Sequence, residues 1–218
     1  MIHRNILILG ASGECGKCAV RIALERGYQV TALARPETSF EVSHDVRVIQ
    51  GNVLDTIVLD KAMKKQHAVL SCLGIKRKYP KNPWSTLMSP PDFMKQCAEG
   101  IVQAMERHRV ERLITISAAG VGDSDRSMKL MIRWMITYSN ISIAYRDLAE
   151  MEQVYENSDI DWLVVRPVTL VNGTPSSRAQ LVSHYGLFSH IARTEVASWM
   201  LDALERRQTF SNHYEMIG

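Results

Sequence analysis

Apolar and polar positions follow two different periods along this chain. Short apolar runs bounded by turn residues are typical of strands covered on both faces of a parallel sheet. Longer segments with apolar residues three or four positions apart are typical of helices packed on such a sheet. The runs predict strands at Ile6–Leu9, Gln29–Ala34, Val46–Gln50, Ala68–Cys72, Arg112–Ser117, Asp161–Val165 and His213–Ile217. The periodic segments predict helices at Glu14–Arg26, Thr56–Lys65, Asp92–His108, Ser142–Asn157 and Thr194–Arg206.

Strands that alternate with helices in this way predict an α/β fold, a Rossmann-type doubly wound parallel β-sheet with helices on both faces. The connections between its strands should be right-handed. Residues 1–218 contain no repeat and no low-complexity segment, so we expect a single domain. We expect the segments 75–91, 120–140 and 168–192 to supply small elements on its substrate side.

The turn after the first strand carries the clearest functional motif. Gly10, Gly13 and Gly16 directly follow Ile6–Leu9 and lead into the first predicted helix. In dinucleotide-binding turns such glycines allow a tight bend, let the backbone approach pyrophosphate, and pack helix against strand. The helix that follows directs its free N–H groups and positive dipole end at the phosphates. The motif predicts a dinucleotide site, with a glycine-rich turn that binds nothing as the alternative.

The end of the second strand is where such folds choose between cofactors. An acid there binds the ribose 2′-hydroxyl of NAD, whereas an arginine accommodates the 2′-phosphate of NADP. Arg35 ends this strand, and Glu37 follows two residues later. We therefore expect NADP(H) to be preferred over NAD(H), with a simple surface charge as the alternative role of Arg35.

Composition and charge exclude several classes of protein. The 218 residues include 46% hydrophobic and 22% charged residues, which is ordinary for a globular protein. The net charge of +3 is too small to indicate nucleic-acid binding. No apolar run approaches the ~20 residues of a membrane span, and the first strand begins without a signal segment. We therefore expect a cytoplasmic protein that has neither nucleic acid nor membrane as a partner.

The cysteines and histidines give no metal-binding pattern. Cys15 and Cys18 form a CxxC pair at a predicted helix N-terminus, where thiolates are stabilised. Cys72 and Cys97 are not spaced as a second zinc-ligand pair, and the seven histidines show neither HxxxH nor HxH spacing. We expect the CxxC pair to be chance placement, with redox sensing as the alternative. The sequence also lacks GxSxG and Walker-type motifs, which argues against a hydrolase or NTPase.

Two segments depart from the regular pattern. Residues 75–91 contain four prolines, Trp84 and the basic cluster Lys76–Lys78 with Lys81, after a predicted strand. Because open α/β sheets bind ligands at that edge, this loop is predicted to be a lid or to attract an anionic substrate. The alternative is a solvated loop with a packed tryptophan. The apolar segment Met128–Ile136 predicts a pocket wall or subunit interface, with core packing as the alternative.

Five short motifs, in their order and spacing, resemble those of the atypical short-chain dehydrogenases/reductases. More narrowly, the chain resembles the NAD(P)H-binding group that includes NmrA-like regulators and biliverdin reductase B, a flavin reductase. This resemblance covers nearly the whole chain. The motifs are Gly10–Gly16, Gly51–Asp55, Ile116–Ala118, Val165–Pro167 and Ala192–Ala197.

The resemblance implies where NADP(H) contacts this chain. The 2′-phosphate would be held by Arg35, helped by Ser12. The adenine would lie beside Asn52 and Val53, with asparagine in place of the more usual aspartate. The pyrophosphate would lie over Gly10, Ser12, Gly13, Glu14, Cys15 and Gly16. The ribose would pass Leu73 and Gly74. The nicotinamide would be framed by Ser117, Pro167, Val168, Thr169 and Leu170.

The chain departs from its relatives at the catalytic positions. Short-chain dehydrogenases commonly use a Tyr-x-x-x-Lys pair, in which lysine lowers the tyrosine pKa for proton donation. None of Tyr138, Tyr145 and Tyr155 has a lysine four residues later. Glu152 and Val168 stand where flavin-reductase-like relatives carry histidines. These departures argue against carbonyl reduction by a tyrosine acid and weaken a direct transfer of biliverdin-type activity.

Four residues are candidates for the reacting centre. Ser117 ends the fifth strand beside the expected nicotinamide; its alternative is a hydroxyl bonded to the backbone. Tyr145 could offer its phenol to a substrate, or pack in its helix with a hydrogen bond at its tip. Glu152 is predicted to lie on a helix surface rather than in the pocket. Arg166 is predicted to form a structural ion pair.

These observations predict an NADPH-dependent oxidoreductase that passes hydride to a flavin, quinone or similar small acceptor. Such acceptors can take protons from solvent, so the missing Tyr-x-x-x-Lys acid is tolerable. The alternative is an NADP(H)-binding redox sensor without turnover, favoured by an intact cofactor motif beside an incomplete catalytic one. A sugar-nucleotide enzyme fits less well, because little chain follows the sixth strand. We expect a monomer or homodimer.

Overall fold

The apolar runs of the sequence form one parallel sheet in the computed structural model, which describes residues 5–36, 44–79, 82–127, 130–173, 178–186 and 188–218. The strands are β1 (Asn5–Leu9), β2 (Gln29–Ala34), β3 (Arg47–Gln50), β4 (Ala68–Ser71), β5 (Arg112–Ile116), β6 (Asp161–Pro167), β7 (Thr169–Val171), β8 (His190–Ala192) and β9 (His213–Ile217). The helices are α1 (Glu14–Glu25), α2 (Thr56–Met63), α3 (Phe93–His108), α4 (Leu130–Thr137), α5 (Ile141–Glu156) and α6 (Arg193–Leu204). A short 3₁₀ helix spans Gly122–Ser127.

The strand order of the main sheet is that of a doubly wound fold. Seven strands run β3-β2-β1-β4-β5-β6-β9, and every neighbouring pair is parallel. The chain winds outward from β1 in one direction and then, from β4, in the other. Leu9 pairs with Leu33 on one side and with Ser71 on the other, so the order reverses beside the glycine turn. The predicted fold class is confirmed, and ligands of such sheets bind at this reversal.

Two apolar layers cover the sheet. Ile6 and Ile8 face a layer that includes α1 and α6, whereas Leu7 and Leu9 face α2, α3 and α5. All four side chains are fully buried, which is why β1 reads as a continuous apolar run. A strand buried on both faces positions the glycine turn that follows it.

An aspartate from another helix caps α3. Asp92 precedes α3 but forms no capping hydrogen bond. Instead the buried carboxylate of Asp147, in α5, accepts hydrogen bonds from the backbone N–H groups of Met94 (2.9 Å) and Lys95 (3.0 Å). Burial raises the pKa of Asp147 despite these two bonds, which lower it. The cap fixes α5, and the functional candidates on it, against α3.

Several boundaries differ from the predictions. The strand β6 continues through Arg166 to Pro167, two residues beyond the predicted end. The parallel pair of β7 and β8 was not predicted, because each has only three residues. The apolar segment Met128–Ile136 contributes most of α4, although Met128 lies outside the described residues.

Within the described ranges, each helix is too short or too polar to cross a lipid bilayer.

Candidate functional site

The glycine turn is packed so closely that two of its residues have no room for a side chain. Gly10 has φ +69°, and a Cβ there would lie 2.7 Å from the carbonyl oxygen of Cys72. A Cβ on Gly16 would lie 2.2 Å from the carbonyl oxygen of Gly10. Gly13 is exposed, and its backbone N–H donates to the Gly10 carbonyl (2.9 Å). Gly10 and Gly16 therefore shape the turn, whereas Gly13 leaves its outer side open to a ligand.

The first turn of α1 lacks a side-chain cap. Its N-cap is Gly13, which has no side chain to accept the backbone N–H groups that open every helix. Ser12 is half-buried beside it, and the exposed Glu14 lies 3.7 Å from Lys17. An uncapped helix N-terminus behind a glycine turn suits a phosphate group.

Arg35 lies beside this turn. Pairing of Leu9 with Leu33 brings the end of β2 level with the start of the turn, and the Arg35 side chain is exposed there. Glu37, the rival acid in the sequence, lies outside the described residues. An exposed guanidinium at this position is available to a phosphate on the ribose.

The loop after β3 forms the next part of the same edge. The side-chain oxygen of Asn52 accepts the backbone N–H of Leu54 (3.1 Å), and Asp55 caps α2. Asn52 itself is exposed, whereas Val53 is buried in the core. Asn52 thus shapes its own turn and presents its amide to solvent.

Two serine hydroxyls are buried without a hydrogen-bond partner at the ends of β4 and β5. Ser71 is 1% exposed and Ser117 is 6% exposed. In the described part of the chain neither hydroxyl oxygen has a partner, although the backbone N–H of Ser117 donates to the Val165 carbonyl (2.8 Å). A buried hydroxyl without a partner is costly. Ser117, at the ligand edge of the sheet, therefore fits a polar group supplied by a bound cofactor.

Two tyrosines converge on one carbonyl near Ser117. The phenol of Tyr145 donates to the backbone oxygen of Ala119 (3.0 Å), and the buried Tyr185 donates to the same oxygen (2.8 Å). Burial raises the pKa of Tyr145 to about 12. Tyr185 was not a sequence candidate, since nothing local connects it to a position 66 residues away. Both phenols hold the loop after β5.

Glu152 is buried, which corrects the prediction of a surface carboxylate. Its oxygens accept two hydrogen bonds from the guanidinium of Arg166 (3.0 and 2.8 Å), and both residues are at most 4% exposed. Asp123 accepts a further bond from Arg166, and the Tyr214 ring centroid lies 3.8 Å from the guanidinium carbon. Burial opposes the charge on Arg166, but Glu152 and Asp123 outweigh it and raise the pKa. The predicted structural ion pair of Arg166 is therefore present.

The segment Pro167–Leu170 runs beside the Ser117 loop. The Pro167 carbonyl accepts the backbone N–H of Ala119 (3.0 Å). Val168 is buried, Thr169 is exposed and Leu170 is half-buried. With Leu73 and Gly74 at the end of β4, these residues lie along the same carboxyl edge as the glycine turn.

The cysteine pair lacks the chemistry expected at a helix N-terminus. Cys15, Cys18, Cys72 and Cys97 are free thiols. Burial raises the pKa of Cys15 to about 11, more than the nearby charge of Arg193 lowers it, and burial raises the pKa of Cys18 as well. Thiols with raised pKa values favour the expected chance placement of this pair over the alternative of redox sensing. Across the described ranges no cluster of His, Cys, Asp or Glu has the arrangement of a metal site.

The doubly wound sheet and the glycine turn at its switch point define the class, a Rossmann-fold dinucleotide-binding protein. Residues 10–207 match the model of the family described as NAD(P)H-binding. The chain therefore belongs to this NAD(P)H-binding family, in agreement with the NAD(P)H-binding group that its sequence motifs resemble.

Relatives with names and structures agree with this assignment. Oxidoreductase stcQ of Emericella nidulans is 26% identical over 188 residues, which cover 76% of this chain and 65% of that protein. This chain thus spans about two thirds of the length of that relative. ChuY, an anaerobillin reductase from Escherichia coli O157:H7, has 19% identity and a TM-score of 0.77, covering 98% of this chain and 96% of that one.

A second solved structure contains a cofactor. It is a short-chain dehydrogenase/reductase from Veillonella parvula in complex with NADP, with 18% identity and a TM-score of 0.76 over 99% of this chain and 94% of that one. At this identity the two solved structures establish the fold of the chain.

Proposed function

We propose that this protein is an NADPH-dependent reductase that passes a hydride to a flavin, quinone or similar small acceptor without a tyrosine acid. The observation that carries the proposal is the buried, unpartnered hydroxyl of Ser117 at the ligand edge, two residues from a loop that Tyr145 and Tyr185 hold in place. When bound, NADPH would supply the hydride from C4 of its nicotinamide.

The cofactor would be held by residues that have few other partners. The uncapped N-terminus of α1 and the exposed Gly13 suit the pyrophosphate. Arg35, exposed at the end of β2, would bind the 2′-phosphate and give the preference for NADPH. Ser117 and the segment Pro167–Leu170 would frame the nicotinamide. The NADP complex of the Veillonella protein supports this choice of cofactor.

The proton donor of other short-chain dehydrogenases has no equivalent in α5. The helix carries no lysine. The phenol of Tyr145 already donates a hydrogen bond to the Ala119 carbonyl. A phenol with a pKa of about 12 is a poor acid near neutral pH. Reduced flavins and quinones can take their protons from water, so they fit this site better than simple carbonyl compounds do. The names anaerobillin reductase and oxidoreductase, given to two relatives, support reductase chemistry in general.

Steady-state turnover with FMN, FAD and several quinones tests the proposal. We expect Ser117→Ala to lower kcat on the order of tenfold, because one hydrogen bond at the reacting centre is lost. Ser158→Ala, just after α5, serves as the matched control because, in the part of the chain that the structure describes, its hydroxyl donates only to the Tyr155 carbonyl (2.7 Å).

Saturable NADPH consumption that Ser117→Ala slows and Ser158→Ala does not would support the reductase. Tight NADPH binding without turnover on any acceptor would favour the alternative, a redox sensor. Equal rates for wild type and Ser117→Ala would refute the role of this hydroxyl.

A further inference from the structure

A hairpin leaves the ligand edge directly after β4. Its arms meet where Arg77 bridges Leu87 in antiparallel fashion. The backbone N–H of Lys78 donates to the Thr86 carbonyl (3.1 Å), and that of Met88 donates to the Lys76 carbonyl (2.7 Å). These bonds pair residues 76–78 with residues 86–88 as the two arms of the hairpin.

The hairpin is joined to the end of α4. The indole N–H of Trp84 donates to the Tyr138 carbonyl (3.1 Å), and the side-chain amide of Asn140 donates to the Trp84 carbonyl (2.8 Å). The rings of Trp134 and Tyr138 lie 5.5 Å apart between centroids. Hairpin and helix end thus form one continuous surface.

Large apolar side chains are exposed on this surface. In the described chain, half of the exposed large apolar side chains lie here: Tyr79 (60% exposed), Trp84 (57%), Met88 (68%), Trp134 (61%) and Tyr138 (66%). We call these five residues the aromatic surface, because all of them except Met88 are aromatic. Scattered exposed apolar residues need no explanation, but a contiguous group marks an interaction site.

The two chain segments that carry the aromatic surface contain charged residues of only one sign. The segments 75–91 and 128–140 contain no aspartate or glutamate, whereas the whole chain has 23 acidic and 26 basic residues. The basic residues of the two segments are Lys76, Arg77, Lys78, Lys81, Lys129 and Arg133. Lys81 and Lys129 lie outside the described residues, while Lys76 and Lys78 are exposed.

We propose that the aromatic surface docks this protein on an anionic lipid bilayer. Tryptophan and tyrosine rings favour the lipid–water interface, because one end is apolar and the other polar. Lysine and arginine beside them are attracted to anionic headgroups, and the two contributions add. Protein interfaces tend to be depleted of lysine at their core, and a net charge of +3 is weak for nucleic acid. Lipid is therefore the partner that this chemistry fits best.

This proposal departs from the expectation of no membrane partner. That expectation rested on the lack of a spanning segment, which peripheral docking does not need. The hairpin follows Gly74 at the carboxyl end of β4, so docking would turn the ligand edge towards the bilayer. Delivery of a lipid-dissolved quinone to that edge rests on the proposed function, whereas docking itself does not.

Co-sedimentation of the full chain with vesicles tests the proposal. We expect binding to vesicles of phosphatidylcholine with phosphatidylglycerol, and much weaker binding to phosphatidylcholine alone or at high salt. The double variant Lys76→Gln/Lys78→Gln should weaken binding on the order of tenfold, and Tyr79→Ser/Trp134→Ser should weaken it too. Trp134→Ser should also reduce the tryptophan fluorescence shift that vesicles cause.

The controls are exposed residues outside the aromatic surface. Lys61→Gln/Lys64→Gln and Phe188→Ser should leave vesicle binding unchanged. The proposal is overturned if the wild type does not bind anionic vesicles, or if the controls weaken binding as much. It is also overturned if the surface variants instead abolish a homodimer or abolish oligonucleotide binding. The same holds if their only effect is to raise the KM for FMN. These vesicle readouts need no turnover, so failure of the reductase proposal would leave them interpretable.

Discussion

The ligand edge, where the parallel strands end, has two sides that are built in different ways. The nucleotide side contains the glycine turn Gly10–Gly16, and the proposed acceptor side contains Ser117, Ala119 and Arg166. On the nucleotide side, neighbouring residues fix most of the geometry: Gly16 packs against Gly10, only six positions away, although Gly10 also packs against the more distant Cys72. On the acceptor side, distant residues fix it. Tyr145 and Tyr185 hold Ala119 from 26 and 66 positions away, and Arg166 joins Asp123 across 43. The comparison teaches that the shape of the glycine turn is mainly a local property of this chain, whereas the shape of the proposed acceptor site depends on tertiary packing.

Loss of the buried arginine should produce the largest effect on stability and should appear on the acceptor side. Arg166→Met leaves the Glu152 carboxylate buried without its partner, so the free energy of unfolding should fall by about 3–5 kcal/mol. Urea unfolding measures this. The double variant Glu152→Met/Arg166→Met should recover much of the loss, because no buried charge stays unpaired. Asp123 also loses its partner in this variant, but its side chain is exposed. A double variant less stable than either single one would contradict this account of the pair.

On the nucleotide side, the matching test is Gly16→Ala. Its Cβ would lie 2.2 Å from backbone, so we expect about 3 kcal/mol of destabilisation and loss of measurable NADPH binding in a fluorescence titration. Gly100→Ala in α3 is the control. Its Cβ would lie 3.6 Å from a Leu59 methyl, and the change should raise stability by up to about 1 kcal/mol. If Gly16→Ala bound NADPH as the wild type does, the turn would not be the pyrophosphate site.

A variant of Arg35 tests the proposed 2′-phosphate contact on the nucleotide side. Arg35→Ala should raise the Kd for NADPH about tenfold or more, because a charge-assisted contact is lost, and should leave the Kd for NADH nearly unchanged. Calorimetric titration with both cofactors checks this. Arg21→Ala, which removes an exposed arginine paired with Glu25 in α1, should change neither value. Equal losses for NADPH and NADH would remove Arg35 from the 2′-phosphate site.

The smallest effect is expected at Tyr145. Because its phenol donates to a backbone carbonyl and has a pKa of about 12, it stays protonated across the neutral range. Tyr145→Phe should change kcat by no more than about threefold, at a cost in stability of about 1 kcal/mol for the lost hydrogen bond. The pH profile of kcat from pH 6 to 9 should keep its shape. A collapse of kcat with a changed profile would make Tyr145 a catalytic acid after all.

Most of the fold could be predicted from the sequence, because its strands are buried and its turn residues are local. The run Ile6–Leu9, the three glycines and the cap Asp55 act within a few residues of where they stand. The doubly wound parallel class of the sheet then follows from alternating strands and helices. The short strands β7 and β8 escaped prediction, because three residues carry too little pattern.

The acceptor side was less predictable for a physical reason. Glu152 reads as a surface residue until a partner 14 positions later, on a strand, neutralises it. Asp147, which was not a sequence candidate, likewise caps a helix more than 50 positions earlier. No sequence pattern near Glu152 or Asp147 indicates its hydrogen-bond partner. The placement of Arg35, Asn52 and Ser117 at one edge did follow from the strand ends alone.

The most direct test of the central claim is NADPH consumption by the purified protein, followed with FMN, FAD and several quinones, with NADH run alongside. The account predicts saturable turnover with at least one of these acceptors, faster with NADPH than with NADH. Tight NADPH binding without turnover on any acceptor would contradict it and would leave a cofactor-binding protein whose role is to sense NADP(H).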